Sequence, residues 1–366
     1  MTDPVGHCDD RFTAVADVLV QSIESGDNLG ASVAVIIGGE PVLDLTAGWK
    51  DRQKTTAFGD TLCCVYSAGK AVTAALIMGA VERGEIDYDV RVADIWPAFG
   101  AHGKDELTIA QALSHQSGVP GFPEPVDPAI WLDWDATCAQ IAGHAPMWPP
   151  GTQNGYHPQT FGFIAGEIFR RQTGKTIGTA LKHWGVDVYC GLEAPQVERV
   201  GAMVKPPAAP DLGTITPPKK AAFLERWSAP AGVDRDQWMA AEIPASNMHA
   251  TARGLAGVMQ AFATGNVRDH VVAGADSRAQ ATTERIRGDD LVLPFDLSWG
   301  AGVMRNTHGY LGPSATAVGH YGFGGALTIA DPAHGLSVAF VPNKMSPALV
   351  GDPRAIALVE AVYTSL

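Results

Sequence analysis

Residues 63–85 read CCVYSAGKAVTAALIMGAVERGE. From Ala71 to Val81 the stretch is apolar on every side, the mark of a helix buried all round. It closes on Arg83 and Gly84, a helix-stop pair, so the pattern predicts a helix from about Ser67 to Arg83. Ser67 and Lys70 lie three apart at its start and share a face. A serine hydroxyl is a weak nucleophile until a base removes its proton. A lysine serves as that base once burial lowers its pKa. The N-terminal end of a helix adds free N–H groups that steady a developing oxyanion.

The 366 residues suit two domains, or one domain with a large insertion. Hydrophobic residues make up 46% and charged residues 18%, a globular composition. A formal net charge of −13 argues against a nucleic-acid partner. The five cysteines form no C-x-x-C, so a zinc or redox motif has no support. The opening MTDPVGHCDDRF has no apolar signal core, and the apolar runs are too short to span a bilayer. The expectation is a cytoplasmic protein with reduced thiols.

Helical spacing of Phe12, Val15, Val18, Leu19 and Ile23 predicts a helix over 10–25. GASVAVIIGGEPVLDLTAGWKD reads as two strands about Gly38-Gly39. Helices are expected at about 160–171 and over TARGLAGVMQAFATG, with proline-rich loops at 117–128 and 204–220 that should wall a pocket. WGAGVMRN, ATAVGHYG, GALTIADP and GLSVAFVPNKM read as strands, and a helix from about Pro353 to Thr364 closes the chain. Strands at both ends with helices between predict an α+β fold. An antiparallel sheet domain would come from 1–75 and 290–366, and a mostly helical second domain from 76–289.

Ser-x-x-Lys at a helix start resembles the first motif of the serine β-lactamase/penicillin-binding-protein-like superfamily. The likeness is strongest to its esterase branch, the class C β-lactamase-like or family VIII carboxylesterases, and it runs from about residue 12 to 364. Two further stretches carry it in the family's order. In GYHPQTFGFIAGEIFRR, Tyr156 matches the tyrosine that handles protons beside the serine and lysine. In GHYGFGGALTIADP, His320, Tyr321 and Gly322 stand where β-lactamases have Lys-Thr-Gly. The resemblance implies a β-lactamase-like fold with the site between sheet and helices. It also implies a two-step acyl transfer on Ser67, with Lys70 or Tyr156 as base and the N–H groups of Ser67 and Phe323 as the oxyanion hole. His320 and Gly322 would contact substrate, and so would Asn247 in IPASNMHATARGLAGVMQAF, although a Ser-Asn pair there also suits a helix cap. His115, in LSHQSGVPGF, reads as structural.

Two departures bear on the substrate. Pro158 replaces an asparagine of the tyrosine motif, and His320 replaces the lysine that meets a substrate carboxylate. Both point to small or medium neutral esters as the small-molecule partner. Other acyl-transfer chemistry (amidase, transacylase, weak β-lactamase or D-amino-acid peptidase) is the alternative, and a non-catalytic scaffold the next. The chain has no G-x-S-x-G, no H-E-x-x-H and no complete P-loop. No metal and no cofactor is called for, and the oligomeric state is open.

Overall fold

The computed structural model describes residues 3–366. Its strands are β1 (Val5–Cys8), β2 (Gly30–Ile37), β3 (Glu40–Gly48), β4 (Cys63–Cys64), β5 (Val188–Tyr189), β6 (His249–Ala250), β7 (Asn266–Val267), β8 (His270–Val271), β9 (Ile286–Asp289), β10 (Asp296–Trp299), β11 (Met304–Arg305), β12 (Val318–Tyr321), β13 (Leu327–Asp331) and β14 (Leu336–Pro342). Nine form one antiparallel sheet in the order β1-β3-β2-β14-β13-β12-β11-β10-β9. The two ends of the chain meet where β14 pairs with β2, Val338 opposite Val35. Gly38 and Gly39 turn β2 into β3 with φ of +60° and +94°, values a tight hairpin needs and glycine adopts without strain.

Side chains alternate across β2, so the sheet separates two cores. Val33 and Val35 join Val15, Leu19, Leu358 and Val362 from the terminal helices Thr13–Glu24 and Pro353–Thr364. Ala34 and Ile36 face the other core, with helices Gly69–Glu82 and Ala252–Ala263. Helix Gly69–Glu82 is buried at every position from Gly69 to Ala80, which accounts for its uniformly apolar sequence. The remaining helices, among them Trp134–Gly143, Thr160–Thr173 and Ile177–Trp184, cover this second core. The α-helix starts at Gly69 rather than Ser67. Ser67 lies in a 3-10 turn, Tyr66–Ala68, that leads into it. Among the described residues no helix is long and apolar enough to cross a membrane.

Phe262, fully buried on helix Ala252–Ala263, fills the core between that helix and the sheet. Phe262→Ala should lower stability by about 3–5 kcal/mol, read as a fall in the urea midpoint at constant m-value.

Candidate active site

Lys70 is fully buried at the start of its helix. Its Nζ lies 3.1 Å from Ser67 Oγ, 2.9 Å from the Pro158 carbonyl and 3.0 Å from the Ala245 carbonyl. No carboxylate pairs with it among the described residues. Burial without a counter-ion holds its pKa well below the usual lysine value. A neutral amine has two protons and one lone pair. Two carbonyls can only accept, so they take the two protons, and the lone pair is left for the Ser67 hydroxyl.

Tyr156 completes the group. Lys70 Nζ stands 4.7 Å above its ring centre, and the ring stacks with Trp299 (5.9 Å, 18°) and with Phe223 (6.5 Å, 22°). The sequence suggests a lowered phenol pKa beside a lysine ammonium. Burial instead raises it; the Ser67 side chain, hydrogen-bonded to the phenol, pulls it back only in part, and the charge of Asp290 adds to the rise. Burial thus moves the two groups in opposite directions, the amine down and the phenol up.

The turn after β12 closes the site. Gly322 N donates to Ala326 O at 2.7 Å. A Cβ on Gly322 would stand 2.1 Å from the Val65 carbonyl, so only glycine lets the turn press against the strand that delivers Ser67. Gly322 thus meets the protein and not the substrate expected from sequence, while its neighbour Phe323 lines the cleft. Among the described residues the N–H groups of Ser67 and Phe323 donate to no protein acceptor. Tyr66, just before Ser67, has φ +46°. A non-glycine residue costs of order 1 kcal/mol or more there, and the fold holds that strain beside the hydroxyl.

His320 lines the cleft. Its Nδ1 donates to the Tyr321 carbonyl at 2.6 Å, which leaves Nε2 an acceptor with no protein partner. Burial brings its pKa down to about 3. Asn247 is a correction. It is fully buried and does not line the cleft. Its Nδ2 donates to Trp238 O and Ala241 O, each at 2.8 Å, and its Oδ1 accepts from Ile243 N at 2.9 Å. It locks the loop that presents the Ala245 carbonyl to Lys70. Nor does it cap the next helix, which Thr251 does.

The cleft has a volume of about 380 Å³. Ser67, Tyr156 and His320 meet there with walls that include Leu212, Phe223, Leu293 and Val350, and no lining side chain carries a charge at neutral pH. The proline-rich segment 204–220 supplies Ala209, Pro210 and Leu212. Segment 117–128 supplies none. Its Phe122 stacks on Trp131 at 5.0 Å in the helical core, and Gly121 backs the Ala221 carbonyl. Sequence reasoning missed Trp299, Phe223 and the buried His157, whose Nε2 bonds Ser117 Oγ at 2.7 Å. Only tertiary contacts bring Trp299 and Phe223 to the site, whereas His157 follows Tyr156 in the chain. His115 keeps the structural part expected of it, accepting from His157 N at 3.2 Å and packing on Trp299 at 4.4 Å.

Comparison with known proteins fits this arrangement. The family model described as Beta-lactamase matches residues 15–362. The chain is 29% identical to the Esterase/beta-lactamase LipL of Mycobacterium tuberculosis, over 95% of this chain and 85% of that protein. A crystal structure of a penicillin-binding protein homolog from Caulobacter crescentus superposes with a TM-score of 0.96 at 48% identity, covering 100% of both chains. A family VIII carboxylesterase superposes with a TM-score of 0.92 at 34% identity, over 99% of this chain and 100% of that one.

Burial holds the pKa of His157 at about 3. An unfolded histidine takes up its proton near pH 6.5, so the unfolded chain gains protons that the folded chain refuses as pH falls from about 6.5 toward 3. Stability contributed by the neutral ring is present above about 6.5 and lost below it. His157→Gln should flatten the fall in urea-unfolding free energy between pH 6 and 4 by about 1.4 kcal/mol per pH unit.

Proposed function

The chain belongs to the Beta-lactamase family, and from that premise we propose that it is a serine carboxylesterase acting on small to medium neutral esters. One observation carries the proposal: a fully buried amine, paired with no carboxylate among the described residues, lies 3.1 Å from the Ser67 hydroxyl at the floor of a cleft whose lining carries no charge. Lys70 takes the Ser67 proton as Oγ attacks the ester carbonyl. The N–H groups of Ser67 and Phe323 hold the oxyanion. As the C–O bond to the alcohol breaks, Tyr156 gives its proton to the leaving alkoxide and regains one from the Lys70 ammonium. Water then gives a proton to Lys70 as it adds to the acyl-enzyme, and Lys70 returns that proton to Ser67 Oγ as the acid leaves. This division assigns the base to Lys70 because its pKa falls while that of Tyr156 rises.

The family VIII carboxylesterase and the esterase/beta-lactamase relative support ester hydrolysis. The uncharged lining argues against substrates that present a carboxylate, which would be desolvated there without a cation. Five unpaired cysteines support placing the protein in the cytoplasm.

Turnover of p-nitrophenyl butyrate should fall about a thousandfold or more in Ser67→Ala and in Lys70→Ala. Wild type, but not Ser67→Ala, should gain one fluorophosphonate adduct by intact mass; unchanged turnover in Ser67→Ala would end the proposal. A p-nitrophenyl ester with a free carboxylate on its acyl chain should show kcat/KM at least about tenfold below that of the butyrate.

A further inference from the structure

Asp290, just beyond β9, is a buried carboxylate that pairs with no cation among the described residues. Its Oδ1 accepts from the backbone N–H of Tyr156 (2.9 Å), Val292 (2.9 Å) and Leu293 (2.8 Å), and its Oδ2 accepts from Asn154 Nδ2 (2.9 Å). The Leu291 N–H donates to the Asn154 carbonyl at 3.0 Å, a parallel stitch between the same two segments. One side chain so clips Tyr156 to a turn 134 residues away. Trp299 and Phe223 set the plane of the Tyr156 ring, but stacking leaves a ring free to slide in that plane. Fixing the main chain at Tyr156 N removes the sliding and sets the depth at which the phenol meets Ser67.

An amide could tie the same turn with less desolvation than a buried charge. Burial raises the pKa of Asp290 while its four hydrogen bonds oppose that rise, and the ionised carboxylate does what an amide cannot: it opposes phenolate formation at Tyr156. Lys70, His115 and His320 also face the ring, and burial lowers the pKa of each.

We propose that Asp290 is the positioning residue of Tyr156, fixing the phenol at Ser67 and keeping it a proton donor to the departing alcohol. The proposal rests on the esterase reading above. Its test uses the leaving group. p-Nitrophenolate departs without a proton, whereas ethoxide needs one. The ratio kcat/KM reports events up to acylation. For Tyr156→Phe the loss on ethyl butyrate should exceed the loss on p-nitrophenyl butyrate by tenfold or more, and Asp290→Asn should show the same bias. Equal losses on the two esters in Asp290→Asn would assign the residue a merely structural part and overturn the proposal, as would no loss on either. If Asp290→Asn fails to fold, Asn154→Ala removes one strand of the clasp, and a bias of threefold or more is expected from it; an unbiased loss, or none, overturns the proposal. A Ser67→Ala variant as fast as wild type on both esters would instead remove the esterase reading itself.

Discussion

Lys70 brings an amine into an apolar interior and meets there two carbonyl oxygens and one hydroxyl, but no carboxylate among the described residues. An isolated ammonium in such a place is costly, and that cost holds the pKa of the group well below the usual lysine value. Each requirement of that state can be followed outward. The helix must be apolar all round, so that nothing near the amine supplies a charge. The carbonyls of Pro158 and Ala245 come from segments 88 and 175 residues away, so the loops that carry them must be held still. Asn247 holds one, and the Asp290 clasp with the His157–Ser117 bond holds the other.

The sheet serves the same end from the opposite side. The junction of β2 with β14 joins the chain ends into one rigid plane, and the turn after β12 leans from that plane onto Val65 through Gly322. The hydroxyl thus sits between a helix that supplies the amine and a turn that supplies an N–H. Neither unit moves without disturbing a buried core. The strain at Tyr66 is kept because both neighbours over-determine that position.

Much of this was legible in the sequence where the physics is local. The Gly38-Gly39 hairpin, the apolar helix, the closing helix over 353–364 and the Ser67–Lys70 pair each follow from residues a few positions apart. Tyr156 was legible only through resemblance, since no spacing ties it to Ser67. Asn247 and Gly322 were placed against substrate by the family resemblance, which matches motifs and not contacts. Their actual partners, a set of loop carbonyls and the back of Val65, belong to the fold. Asp290, Trp299 and Phe223 carried no signal, because each acts through a contact across more than sixty residues of chain. Pro158 shows the limit from another side: the missing asparagine side chain was visible, but not that the main-chain carbonyl at this position holds the amine.

The protonation state of Lys70 tests the account most directly. In protein labelled with ¹³C at lysine Cε, the resonance assigned by its loss in a Lys70 variant should report a neutral amine at pH 8 and titrate well below the other lysines. A Lys70 signal that stays charged through pH 9 alongside the surface lysines would contradict the account.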